Sequence, residues 1–269
     1  MLGWVRDWTD AVVDRRLYPT LFGPGAARAY EPLPTGHRLD YVGQHRVPCL
    51  KVLPQRSAPK KSAVWLHGNA VTLGDLAKTG LIQSLSDRLQ YEIICPDYGG
   101  ARSAHGRNLD TLQVLQAQDV IDHVVQQSSA PIDVFGRSLG AAIALRAVSE
   151  SRHDVATRVD HVHLVSPFQS LDALLPAWAL KLGVVTANRY NSVEAVRHRL
   201  MGHTNLSVYH GDADTLIPAS HADALLQARK NSGWASSLNS VDKIRGMTHD
   251  PLPFARQLVD KIKARCDHK

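Results

Sequence analysis

The chain has 269 residues, 44% hydrophobic and 21% charged, a globular balance that excludes a disordered or low-complexity protein. No apolar run reaches the roughly 18 residues of a membrane-spanning helix. The net charge is +6, partly in Lys60-Lys61 and the basic stretch 261–269; no aromatic-interleaved basic patch accompanies it, so a nucleic-acid partner is not expected.

Leu2, Val5, Trp8, Val12 and Leu17 recur near helical spacing, which predicts an amphipathic helix packed on the body. The alternative is a helix lying on a membrane surface, with Trp4 and Trp8 as anchors. Charges every few residues argue against a secretory signal. Glycines and prolines over 23–36 mark an irregular connection, followed by predicted strands at 38–42 and 47–53 and a loop over 54–61. A regular alternation then begins. Strands are predicted at 63–67, 92–96, 132–135, 161–165, 206–210 and 240–245. Helices are predicted at 73–89, 109–127, 141–150 and 220–230, with another after the last strand. This pattern predicts an α/β fold with a mostly parallel sheet of about eight strands and helices on both faces. Residues 1–59 would supply the N-terminal helix, the connection and the first strands, and 60–269 the catalytic core of one overall domain.

The stretch 132–145 reads IDVFGRSLGAAIAL. A short apolar strand enters Gly136-Arg137-Ser138-Leu139-Gly140, and an alanine-rich helix follows. A serine on a sharp strand-to-helix turn between two glycines has the G-x-S-x-G form of a nucleophile elbow. Glycine on either side lets strand and helix approach closely while the serine takes an unusual backbone conformation.

A serine hydroxyl needs a base, and the base needs an orienting carboxylate. His249 follows the last predicted strand, beside the turn Gly246-Met247-Thr248, and its imidazole suits proton transfer near neutral pH. Asp212 and Asp214 both lie in the loop after strand 206–210, and either could serve as the acid. The oxyanion formed in acyl transfer needs preorganised donors. The backbone N–H of Leu139 is one candidate. Asn69, in the turn His67-Gly68-Asn69-Ala70, is the other, with Ala70 next.

Together these motifs resemble serine hydrolases of the alpha/beta-hydrolase superfamily, in particular small members with an HGNA oxyanion turn. The matching segments are HGNA at 67–70, PDYGGARS at 96–103, GRSLG at 136–140, PFQSL at 167–171, HGDADTLIP at 210–218 and GMTH at 246–249. The resemblance covers roughly residues 60 to 265. It implies Asp214 rather than Asp212 as the acid, and a carboxylesterase or acyl thioesterase activity. The alternatives are an acylaminoacyl-type peptidase and a non-catalytic binding protein on the same fold. Two departures stand out: Gly99-Gly100-Ala101 lacks the usual spacing, and Asp250 follows His249 where a small or amide residue is common. The N-terminal cysteine cluster typical of membrane-tethered depalmitoylating members is absent, which lowers that reading.

Tyr98, Arg137, Leu175 and Trp178 are the candidate substrate-binding residues. Arg137 could instead form a structural salt bridge under the elbow. The family places a lid between strands 161–165 and 206–210, here expected to be small or absent. Its apolar residues, including Leu175 and Trp178, would either cover the sheet or wall an acyl pocket. His161 and His163 share a strand face, but no third ligand at suitable spacing is evident, so neither a metal nor an organic cofactor is expected. Cys49, Cys95 and Cys266 are an odd, widely spaced set that fits a reducing compartment. The expected setting is cytoplasmic, with a small-molecule or acylated substrate as partner and weak membrane contact of the basic tail as an alternative.

Overall fold

The computed structural model describes residues 33–69, 71–98, 109–174, 190–234 and 239–267. The expected N-terminal helix, the 99–108 loop and the apolar segment containing Leu175 and Trp178 lie outside them.

Eight strands form one sheet: β1 (His37–Val42), β2 (Val47–Val52), β3 (Lys61–Leu66), β4 (Tyr91–Pro96), β5 (Ile132–Arg137), β6 (Val159–Val165), β7 (Asn205–Gly211) and β8 (Ser240–Ile244). Their order is β1-β2-β4-β3-β5-β6-β7-β8. β1 pairs antiparallel with β2, and β2 with β4; every other pairing is parallel. The parallel strands are rich in Val, Ile and Leu because both faces are covered.

The eight described α-helices are α1 (Leu73–Thr79), α2 (Leu81–Leu89), α3 (Leu109–Gln127), α4 (Leu139–Ser149), α5 (His153–Ala156), α6 (Ser192–Arg197), α7 (Ser220–Asn231) and α8 (Ala255–Asp267). Alternate strand residues sort onto opposite faces. Val64, Leu66, Val134, Val162, Leu164 and Val208 pack with α3, α4, α6 and α7. Ala63, Trp65, Phe135, Val165 and Tyr209 pack with α1, α2 and α8. Both faces therefore bury an apolar core.

The continuous helix expected over 73–89 is two helices. Thr72 caps the first: its hydroxyl accepts the Asp75 N–H while the Asp75 carboxylate accepts the Thr72 N–H, the reciprocal capping box. Gly80, at φ +68°, ends α1 in the left-handed region and starts α2. The strand and helix around the elbow are each longer than expected. β5 runs to Arg137 and α4 starts at Leu139, which leaves Ser138 alone at the turn. Among the described residues, no helix is long and apolar enough to cross a membrane.

Candidate active site

Parallel strands deliver their following loops to one edge of the sheet, the edge where open α/β sheets bind ligands. Ser138 follows β5, Asp212 and Asp214 follow β7, and His249 follows β8. Ser138 sits at φ +52°, ψ −117°, a conformation that costs on the order of 1–3 kcal/mol. Its N–H donates to the Val165 carbonyl at 2.9 Å, so the bend is held by the neighbouring strand. The flanking glycines are required by close approach. A Cβ on Gly140 would lie 2.1 Å from the Leu66 carbonyl oxygen, and one on Gly136 would lie 2.5 Å from that of Gly140.

Ser138, His249 and Asp214 are joined in one hydrogen-bonded chain. His249 Nε2 is 3.1 Å from Ser138 Oγ, and His249 Nδ1 is 2.9 Å from Asp214 Oδ2. The Asp214 side chain is fully buried. Its Oδ1 accepts the N–H groups of Leu216 at 3.0 Å and Ile217 at 2.9 Å, which fixes the carboxylate's orientation. A carboxylate at Nδ1 places the Nδ1 proton between them and leaves Nε2 as acceptor toward Ser138.

Asp212 has another job. It is exposed, and its Oδ1 accepts the Gly246 N–H at 2.6 Å, tying the acid loop to the histidine loop. The two loops run together: Ala213 N–H donates to the Met247 carbonyl at 3.2 Å. A Cβ on Gly211 would stand 1.8 Å from that same carbonyl oxygen. His210 is a brace that sequence reasoning passed over. Buried one helical-turn spacing from Asp214, it donates from Nε2 to the Ile217 carbonyl at 2.7 Å and lies 3.5 Å from Asp214 Oδ2. Burial pulls its pKa down, so the ring is neutral and holds the turn that presents the two N–H groups to Asp214. The signal was available in the i, i+4 spacing within HGDAD.

Leu139 is the first residue of α4, and N–H groups of a first helical turn have no acceptor within their own helix. The turn after β3 passes beside it: a Cβ on Gly68 would lie 3.5 Å from Ser138 Cβ. Asn69 is half-buried in that turn, and Ala70 lies outside the described residues. Tyr98 is buried beneath the turn, its ring stacked on His67 at 4.4 Å and its hydroxyl donating to the His67 carbonyl. That packing makes it a brace for the turn.

Arg137 is half-buried, and its Nη2 donates to the His249 carbonyl at 3.1 Å. Among the described residues this contact is a hydrogen bond to backbone rather than the expected salt bridge. Burial lowers its pKa, and the charges of Asp250 and Asp214 oppose that. Asp250 itself turns away to accept the Leu252 N–H at 3.1 Å. A cavity of about 160 Å³ lies behind Arg137, lined by Trp65, His67, Gly68, Leu76 and Leu252 among others. Neither Ser138 nor His249 lines it, which separates it from the reacting atoms.

A scan against protein-family models finds none that matches the chain. Solved structures do resemble it. A hyperthermophilic esterase from the archaeon Pyrobaculum calidifontis aligns at 16% identity and a TM-score of 0.66, covering 98% of this chain and 90% of that one. Esterase 2 of Thermogutta terrifontis, solved phosphoramylated by tabun, aligns at 16% identity and a TM-score of 0.61, covering 88% and 97%. A candidate thioesterase from a Silicibacter species aligns at 16% identity and a TM-score of 0.61, covering 93% and 92%. With the eight-stranded, mostly parallel sheet and its two antiparallel pairings at one edge, these likenesses show that the chain has the alpha/beta-hydrolase fold.

Proposed function

We propose that this protein is a serine hydrolase that cleaves carboxylic esters or thioesters of small-molecule or acylated substrates. The observation that carries this reading is the continuous path from Ser138 Oγ through His249 to the buried Asp214, built on a strained turn. Ser138 Oγ attacks the carbonyl carbon as His249 Nε2 takes its proton. Asp214 holds the imidazole in the required tautomer and stabilises its charged form. The developing oxyanion is met by the backbone N–H groups of Leu139 and Asn69. Collapse of the intermediate expels the alcohol or thiol, which receives the proton from His249. Water then attacks the acyl-enzyme by the same route and restores Ser138. Acyl donor and water are the only reactants of the cycle. The esterases and the candidate thioesterase among the structural neighbours support the choice of ester and thioester over peptide bonds.

The test is a substrate panel: p-nitrophenyl esters of increasing acyl length, matched acyl thioesters, and acylated amino-acid amides. Turnover of esters or thioesters, abolished by Ser138→Ala, is expected. Turnover of the amides alone would reassign the protein as a peptidase, and no turnover of any would favour a binding role.

A further inference from the structure

Three donors meet near the end of the sheet remote from Ser138. Asp133 is the second residue of β5, His163 lies in β6, and Cys266 is in the last turn of α8. Their donor atoms all lie within 4.8 Å of one another. His163 Nε2 is 3.8 Å from Cys266 Sγ and 3.9 Å from Asp133 Oδ2. Asp133 stands about 16 Å before Ser138 along the strand at about 3.3 Å per residue, so the hydrolytic mechanism does not use this cluster.

Two features set the cluster apart from ordinary packing. Asp133 is fully buried and its Oδ1 accepts from Lys61 Nζ at 2.6 Å; the Tyr91 hydroxyl lies against both Asp133 and Cys266, and Oδ2 makes no hydrogen bond of normal length. A buried carboxylate oxygen left this way is costly. His163 is also fixed in orientation. Its ring is stacked against His161 at 3.9 Å and Phe135 at 4.6 Å, and Nδ1 is 3.1 Å from the Tyr209 hydroxyl. Nε2 therefore faces the gap, as in metal-binding histidines whose second nitrogen is held by an outer partner. His161 is engaged elsewhere, its Nε2 2.9 Å from Ser207 Oγ.

We propose that Asp133, His163 and Cys266 form a site for one divalent transition-metal cation of the zinc class, completed by water, that ties the C-terminal helix to β5 and β6. Tetrahedral bonds put N and S ligand atoms about 3.5 Å apart and N and O about 3.4 Å apart, so His163 Nε2 is within a few tenths of an ångström of the required distance to Cys266 and Asp133 Oδ2 must close by about half an ångström on binding. Thiolate with imidazole selects zinc or a similar ion over calcium or magnesium. A cavity of about 620 Å³, lined by Lys61, Tyr91, Lys263, Cys266 and Asp267 among others, reaches the Cys266 side of the cluster.

The charges also match. Lys61 bridges Asp133 and Asp160, leaving one net negative charge; a Cys266 thiolate makes two, equal and opposite to the cation. Burial first, and the Asp133 charge next, push the Cys266 thiol up to about 12. A bound cation outweighs the Asp133 charge and favours the thiolate, so binding releases the thiol proton to solvent. Burial, with the His161 and Lys61 charges adding to it, lowers the His163 pKa and keeps the ring in the neutral form a metal needs.

The test is titration of tag-free, metal-stripped protein with Co²⁺. The expected result is one equivalent of cobalt with thiolate-to-cobalt charge-transfer absorption and tetrahedral d–d bands, both displaced by Zn²⁺. Cys266→Ser abolishes the charge-transfer band, and Asp133→Asn and His163→Gln each weaken binding at least about tenfold. Zn²⁺ also raises the Tm of wild type and leaves that of Cys266→Ser unchanged. Absence of the charge-transfer band in folded wild type overturns the proposal whatever the variants do. So does a band that survives in Cys266→Ser, or cobalt uptake without a thiolate band, which reports only the other histidines. These readouts are independent of hydrolysis, so failure here leaves the serine hydrolase reading standing.

Discussion

Arg137 holds the backbone of His249: its Nη2 donates to the His249 carbonyl at 3.1 Å. The residue beside Ser138 therefore fixes the loop that carries His249, linking β5 to the segment after β8. A hydrogen bond involving a charged group contributes about 1.5–3 kcal/mol.

Arg137→Ala is predicted to lower kcat/KM by about 10- to 150-fold, the equivalent of that energy. The loss should be equal for neutral and acidic acyl substrates, because it acts through the position of His249. A loss confined to acidic substrates would make Arg137 a substrate contact instead.

The two aspartates of the acid loop separate cleanly. Asp214→Asn is predicted to lower kcat on the order of 10⁴-fold by favouring the wrong imidazole tautomer. Asp212→Asn keeps a carbonyl oxygen for the Gly246 N–H and should stay within about tenfold of wild type. Steady-state kinetics on the substrate that turns over fastest decides it, and a reversed ranking would reassign the acid.

Much of this was legible before the structure. Strands and helices alternate with clear periods, and the elbow, acid loop and histidine turn each carry a short motif tied to chemistry. The choice between Asp212 and Asp214 was not available from the residues themselves, because both sit on the same post-strand loop. The structure distinguishes them: Asp214, held by the Leu216 and Ile217 N–H groups, faces His249, while Asp212 faces Gly246. Gly80 was hidden by apolar periodicity that runs straight through it. The short helices α5 and α6 span too few residues to show a period. The cluster of Asp133, His163 and Cys266 has no sequence signature: Cys266 is 103 residues from His163, and parallel strand pairing together with the docking of α8 brings them together.

Gly140 shows how closely the elbow is packed. A Cβ there meets the backbone oxygens of Leu66 at 2.1 Å and His67 at 2.4 Å, and backbone moves less readily than a side-chain tip. Gly140→Ala is predicted to destabilise the fold by about 3 kcal/mol and to displace the turn after β3 that carries Asn69. Denaturant unfolding measures the first effect; an unchanged midpoint would contradict it.

Stability should fall in acid partly through His161. Burial first, with the Lys61 and Arg265 charges adding to it, lowers its pKa from 6.5 to about 3. The unfolded chain takes up this proton first as pH falls, so the contribution is whole above about 6.5 and is lost progressively toward 3. Thermal unfolding across this window should show a steeper loss of Tm for wild type than for His161→Gln. Parallel slopes would contradict the assignment.

The central claim is an activated Ser138, and fluorophosphonate labelling of purified protein tests it most directly. Wild type should take up one equivalent of probe, mapped by mass spectrometry to Ser138, with no labelling of Ser138→Ala and labelling severely slowed in His249→Ala. Folded wild type that stays unlabelled, or label that persists in Ser138→Ala, would contradict it.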